Sequence, residues 1–407
     1  MADASEVSEF LRPGQRIFVA GSSNEPTALL AHLSTQRLPS DLEFIQFPLA
    51  GFNDTDFTQF EPTACVTTFF MTGTLREADQ GRVHYLPMQM RWVYDYLAQN
   101  VDVALIQVAY NASGELCLGP NVDFAGAVLG HTQTVLAELN RAIVAPAGAP
   151  RIEQSRIDFL YESHRPLATL APPKLDETTL KIGAYVASLI QDGDCLQTGI
   201  GAIPAAVLQH LTDKNDLGMH GGLIDDGGMA LIQAGNMNGR AKPVDTGMHV
   251  TGMALGSEDM MAWLAVTPAV VFRGANYTHE VAAIQQQPNF VSINSAVEID
   301  LFGQINAEFV GGKQISGTGG SVDFMRGAKA SAGGRSIIAM TATARKNSLS
   351  RIVTHVDMVT ALRTDIDIVV TEFGIAKIKN LPNRARAEAL IDIAAPQFRD
   401  ELCDSLR

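Results

Sequence analysis

The sequence predicts an α/β protein built from two duplicated open α/β domains with mostly parallel sheets. Three observations carry that expectation: a repeated strand–glycine loop–helix unit, near-continuous apolar runs of strand length, and helical segments between those runs.

The repeat comes first in the chain. Residues 9–33 read E-F-L-R-P-G-Q-R-I-F-V-A-G-S-S-N-E-P-T-A-L-L-A-H-L, and residues 188–211 read S-L-I-Q-D-G-D-C-L-Q-T-G-I-G-A-I-P-A-A-V-L-Q-H-L. Gly14 answers to Gly193, Ile17 to Leu196, Pro26 to Pro204, and His32-Leu33 to His210-Leu211. Both copies say helix end, turn, strand, glycine loop, then a helix opened by proline, whose fixed φ suits a first turn. The first half continues with strands expected at 42–47, 101–108 and 141–146 and a helix around Trp92–Leu97. A Pro-rich polar stretch from Arg165 to Lys174 reads as a linker, giving domains at 1–170 and 178–407 with residues 165–177 between them. A helix from Thr178 to Ile190 opens the second half, followed by strands at 268–272, 290–293, 336–340 and 367–371 and an amphipathic helix near 384–393.

Composition narrows the function. A chain of 407 residues, 46% hydrophobic and 18% charged, has ample apolar material for a core. A net charge of −14 argues against nucleic acid or an anionic membrane as the main partner, though a local basic patch can still hold a small anion. The four cysteines (Cys65, Cys117, Cys195, Cys403) lack metal-ligand spacing and read as buried free thiols of a reducing compartment. No metal is expected. No apolar run reaches the ~18 residues of a membrane span, and the N-terminal M-A-D-A-S-E-V-S-E-F is unlike a signal peptide, so the expected location is cytoplasmic.

The stretch from Cys195 to Gly228 concentrates the candidate chemistry. A strand enters Gly199-Ile200-Gly201 and then a helix, an arrangement that lets backbone N–H groups approach an anion or an oxyanion. It equally suits tight strand–helix packing. Downstream, His220 reads as an acid–base group or a polar core residue, and Asp225 and Asp226 as a general-base pair or a helix cap. Glu298 sits in an apolar strand-like segment and needs a partner. A second glycine cluster, V-G-G-K-Q-I-S-G-T-G-G-S at 310–321, contains Gly317 and Gly320. Between Arg326 and Arg351 the charged residues are all basic, Arg345 and Lys346 among them, as a phosphate contact or a solvated face would require. Patterns of zinc proteases, serine hydrolases and P-loop NTPases are missing.

Ordered segments across nearly the whole chain carry a resemblance: G-S-S-N-E-P (21–26), T-G-T-L-R-E-A (72–78), V-A-L-I-Q-V (103–108), G-I-G-A-I-P-A-A-V-L (199–208), Y-T-H-E (277–280), S-I-N-S-A-V-E-I-D-L-F-G-Q (292–304), G-G-S-V-D-F-M-R-G-A (319–328), L-S-R-I-V (349–353) and V-V-T-E-F-G-I-A (369–376). They resemble the acetyl-CoA hydrolase/transferase family, which includes 4-hydroxybutyrate, butyrate and acetate CoA-transferases. The resemblance implies a CoA-transferase-like fold whose two related domains hold coenzyme A in a cleft, an acyl-CoA plus a small carboxylic acid or other small acceptor as partners, and a homo-oligomer. By the same resemblance Gly199, Ile200 and Gly201 line the thioester oxygen, Gly317 and Gly320 lie along the CoA arm, and Arg345 or Lys346 supplies a basic contact. Asn24, Glu25, Gln107 and Tyr110 become candidate pocket residues.

One position departs from the family pattern, L-G-(I/V)-H-(S/T)-E-M-x-S-D-G, whose Glu is the nucleophile. This chain reads Leu217-Gly218-Met219-His220-Gly221-Gly222-Leu223-Ile224-Asp225-Asp226-Gly227, with Gly222 at the place of the glutamate. Glycine has no side chain to attack a thioester. Three readings stay open: acyl-CoA hydrolysis or acyl transfer without a glutamyl-CoA intermediate, with Asp225 or another carboxylate activating the acceptor; CoA transfer through a displaced carboxylate, Asp225 or Glu298; or a CoA-binding protein that has lost catalysis.

Overall fold

The computed structural model describes residues 4–406, so the first three residues of the polar N-terminal stretch lie outside the described residues. Its residues fall into two compact units. One gathers Met1–Ala171, Thr251–Tyr277 and Ile315–Gly319; the other gathers Pro172–Val250, Thr278–Gln314 and Gly320–Arg407. The chain first passes from one unit to the other between Ala171 and Pro172, and two later segments, Thr251–Tyr277 and Ile315–Gly319, belong to the first unit. The later crossings carry no Pro-rich or polar composition that would mark them.

The first unit is organised by strands β1 (Arg16–Val19), β2 (Glu43–Gln46), β3 (Cys65–Thr68), β4 (Val83–Tyr85), β5 (Val103–Tyr110), β6 (Leu116–Leu118), β7 (Thr134–Asn140) and β8 (Phe159–Ser163). Their order is β4-β3-β2-β1-β5-β7-β8, all parallel, with β6 antiparallel to β5 off that path. Helices α1 (Thr27–Leu33) and α2 (Met90–Gln99) lie between strands, and buried Leu29, Leu33, Phe44, Leu105 and Leu136 belong to one apolar core. The strand expected at 141–146 is a correction: the chain there is irregular, and the strand lies just before it, at 134–140. That strand hid because Glu138 and Asn140, both fully buried, interrupt its apolar run.

The second unit opens with α3 (Glu177–Ala187), whose N-cap Asp176 accepts from the Thr179 N–H. Strands β9 (Cys195–Thr198), β10 (Gly218–Met219), β11 (Phe290–Asn294), β12 (Arg335–Ala339), β13 (Ile368–Thr371) and β14 (Gly374–Lys377) follow. The order is β10-β9-β11-β12-β13-β14, parallel except for the terminal β13–β14 pair. Helices α4 (Ala202–Gln209), α5 (Asp226–Gln233), α6 (Ser321–Ala330) and α7 (Asn383–Asp392) belong to the same unit. Gly183 of α3 meets Ala206 of α4 so closely that a Cβ would sit 2.7 Å from the Ala206 carbonyl carbon. The expected strand at 268–272 is observed as Val270–Phe272, but in the first unit and outside both main sheets.

All four cysteines are free. Cys117 and Cys195 are buried, whereas Cys65 is half-buried and Cys403 is exposed on the last helix, so burial holds for only part of the set. Among the described residues no helix is long and apolar enough to cross a membrane.

Candidate active site

Open parallel sheets bind ligands beyond the carboxyl ends of their strands, where neighbouring strands send the chain in opposite directions. In the second unit that point lies between β9 and β11: the chain leaves β9 through α4 to β10 on one side, and β11 lies on the other. Three segments reach this edge. Gly199-Ile200-Gly201 follows β9, His220-Gly221-Gly222 follows β10, and Asn294 ends β11. Gln197 and Asn294, both buried, exchange amide hydrogen bonds of 3.4 and 3.1 Å across the strands beneath the edge.

Two features of the glycine loop fit a ligand. Gly201, the N-cap of α4, has φ 123° and ψ −176°, a conformation essentially reserved for glycine. A Cβ on either Gly199 or Gly201 would meet nothing within 4 Å, so protein packing does not demand glycine there. Ile200 is exposed between them. Pro204 sits in the first turn of α4, where its missing N–H costs no helical bond.

His220 is fully buried, and its Nε2–H donates to the Thr278 carbonyl at 3.2 Å. Its ring packs edge-on against Phe290. Asp225 is the N-cap of α5, accepting the Gly228 N–H at 2.9 Å; burial pushes its carboxyl above the usual range, and that cap bond opposes the shift. Asp226 opens α5 and is half-buried. Glu298 begins the short strand Glu298–Asp300 and accepts from Asn306 Nδ2 at 3.3 Å.

The sequence reading missed His279. Its ring is 1% exposed and stacks obliquely on Phe324, centroids 4.5 Å apart. Nδ1 pairs with Thr278 Oγ1 at 2.8 Å. Burial, then neighbouring His220, pushes its pKa down to about 3, so the imidazole is neutral. An ideal Cβ on Gly222 would lie 3.0 Å from His279 Cε1 and 3.1 Å from Nε2, and one on Gly320 would lie 2.2 Å from Nε2. The Y-T-H-E segment was visible in the sequence, but no spacing rule joins residue 279 to residue 222. Only the sheet order does.

Arg345 and Lys346 are exposed on the turn between the paired strands Thr343–Ala344 and Leu349–Ser350, with left-handed φ of 48° and 56°. Gly317 belongs to the first unit and packs on Phe69, whose carbonyl oxygen a Cβ would approach to 2.3 Å.

The first unit has its own switch point, between β1 and β5. A cavity of about 70 Å³ there is lined by Gly21, Ser22, Asn24, Phe47, Phe124 and Asp123, among others. Asp123 is 3% exposed, its Oδ1 has no hydrogen-bond partner, and burial pushes its pKa up to about 7. Of the candidate pocket residues, Asn24 lines this cavity. Gln107 donates to Asn24 Oδ1 at 3.0 Å and accepts from Arg165 at 2.6 Å, while Arg165 also pairs with Glu138 at 2.7 Å. Glu25, raised to about 7 by burial, accepts from Gln46 at 2.8 Å, and Tyr110 stacks under the Arg141 guanidinium. Among the described residues no cluster of His, Cys, Asp and Glu could hold a metal ion.

Comparison with known proteins agrees with this architecture. The chain is 40% identical over 346 residues to 4-hydroxybutyrate coenzyme A transferase of Clostridium kluyveri, covering 83% of this chain and 81% of that one. It is 33% identical over 413 residues to succinyl-CoA:cyclohexane-1-carboxylate CoA transferase of Geobacter metallireducens, covering 99% and 94%. The crystal structure of RipA from Yersinia pestis superposes with a TM-score of 0.91 at 31% identity, covering 99% of this chain and 95% of that one. Residues 1–163 match the acetyl-CoA hydrolase/transferase N-terminal domain and residues 256–406 its C-terminal domain. With both domains matched in order and the fold shared along its length, the chain belongs to the acetyl-CoA hydrolase/transferase family.

Proposed function

We propose that this protein processes acyl-CoA thioesters, by hydrolysis or acyl transfer to a small acceptor, without a glutamyl-CoA intermediate. The observation that carries the reading is the surroundings of Gly222. The three atoms nearest a Cβ there belong to His279 and Phe324, and none to a carboxylate. A displaced nucleophile is poorly supported, since Asp225 spends Oδ1 on the Gly228 cap and Glu298 accepts from Asn306. The open Gly199–Gly201 loop supports an acyl-CoA rather than a purely structural role, because backbone N–H groups at such a loop can stabilise a thioester oxyanion. Coenzyme A is substrate and product in this reading.

The test is intact-protein mass after incubation with a panel of acyl-CoAs and acid quench, with free CoA assayed in parallel. Free CoA without a mass increase is the expected result. A covalent CoA or acyl adduct would show that another side chain has taken over covalent transfer.

A further inference from the structure

His279 occupies a socket made by two glycines of the second unit. Neither glycine is demanded by the backbone: Gly320 has φ −99°, and Gly222 is not among the positive-φ glycines. Both positions lack a side chain where the imidazole edge already fills the space, at 3.0–3.1 Å from a Gly222 Cβ and 2.2–2.3 Å from a Gly320 Cβ. The socket places Nε2 beside the position at which the family pattern carries its nucleophile. Nδ1 is held by Thr278 Oγ1, and the Thr278 carbonyl is held in turn by His220 Nε2–H. Nε2 has no hydrogen-bond partner among the described residues and is not one of the fully buried unpaired atoms, so the slight exposure of the residue leaves this nitrogen open to a water.

We infer that His279 is the general base of direct thioester cleavage, its Nε2 activating a water that reaches the ring edge beside Gly222. This rests on the acyl-CoA reading above. Nε2 takes one proton from the water, and the water oxygen bonds to the thioester carbonyl carbon. The C–S bond then breaks with its electron pair on sulfur, and the sulfur takes the proton back from Nε2–H. Carboxylic acid and the free CoA thiol result, and the ring returns to neutral. In this role Nδ1–H donates to Thr278 Oγ1, which sets the tautomer. Burial keeps the ring unprotonated at physiological pH but also disfavours the imidazolium, so the base role depends on the negative charge developing on the thioester oxygen to stabilise the transient imidazolium.

Removing a general base costs about 10²–10⁴-fold. His279→Ala is therefore expected to lose at least about 100-fold in kcat while its Kd for CoA, by calorimetry, stays within about 2-fold. Free imidazole should restore part of the lost rate in H279A, whereas pyrrole, of the same shape but without a basic nitrogen, should not. A folded, CoA-binding H279A with wild-type kcat overturns the inference, and so does equal rescue by imidazole and pyrrole, which would make the ring a space-filler. If H279A does not fold, His279→Asn keeps much of the volume, and the same kcat criterion applies to it. Wild-type protein that releases CoA from no acyl-CoA of the panel overturns the parent reading itself, an outcome distinct from any result on the variants.

Discussion

The imidazole of His279 fills the space that a side chain on Gly222 would need, with Cε1 3.0 Å and Nε2 3.1 Å from an ideal Cβ. The ring is itself held by Phe324 and Thr278, so it cannot move aside freely. Glycine at 222 and histidine at 279 therefore form one arrangement, and changing either should expose the other.

Gly222→Glu should destabilise the protein by about 1–3 kcal/mol, the usual cost of overpacking. Combining it with His279→Ala opens the space and should recover most of that loss, a coupling expected only between touching residues. The double variant also has a carboxylate at the family's nucleophile position, and acyl-CoA should leave a covalent CoA adduct visible by intact mass. Additive stability losses measured by thermal denaturation would contradict the contact.

The two loop glycines should separate folding from binding. Gly201→Ala forces an alanine to φ 123° and should cost about 1–3 kcal/mol. Gly199 has open space and no positive φ, so Gly199→Ala should leave stability within about 0.5 kcal/mol of wild type. Its KM for acyl-CoA should nevertheless rise several-fold, because the methyl enters the ligand's side of the loop. Unchanged kinetics in G199A would remove the loop from the site.

Asp225 caps α5, so Asp225→Ala should cost about 1 kcal/mol while Asp225→Asn, which keeps an acceptor oxygen for Gly228, costs less. Turnover in D225N should stay within about 2-fold of wild type if capping is the whole role of the carboxylate. A folded D225N without turnover would instead make Asp225 the base.

Two buried groups pull the pH dependence of stability in opposite directions. Asp123, with its pKa pushed up to about 7, contributes stability that is full below its unfolded value and lost as pH rises toward 7. His279, pushed down to about 3, favours the neutral ring, so stability is lost as pH falls below its unfolded value, near 6.5. Relative to wild type, Asp123→Asn should become progressively more favourable between about pH 4 and 7, and His279→Gln progressively more favourable as pH falls from about 6.5. Denaturation midpoints across pH 4.5–7.5 would check the signs; parallel slopes would refute the assignment.

Arg345 and Lys346 stand exposed on a tight turn, so their contribution to CoA binding should be electrostatic. The R345A/K346A pair should raise KM for acyl-CoA by roughly 10-fold with little change in kcat, and binding should become less sensitive to salt. An unaltered salt dependence would mean the turn is a solvated face.

The duplicated βα unit was legible because apolar periodicity, glycine loops and paired prolines are local signals. They located β1 and β9, α1 and α4, and the glycine loop at the carboxyl end of β9. The strand β7 escaped because its buried polar residues Glu138 and Asn140 are satisfied by partners distant in sequence, Arg165 among them. The assignment of Thr251–Tyr277 and Ile315–Gly319 to the first unit escaped for a similar reason, since long-range packing has no compositional mark.

At the site itself, the sequence alone determined that residue 222 has no nucleophile, since that follows from residue identity within a motif. What stands in its place was decided only by tertiary structure. Pairing β9 with β10 on one side and β11 on the other places the segment after Met219 at the edge where His279 is buried, although 57 positions separate Gly222 from His279 in the chain. Contact between residues so far apart depends on strand order and packing, which no local pattern of side chains encodes.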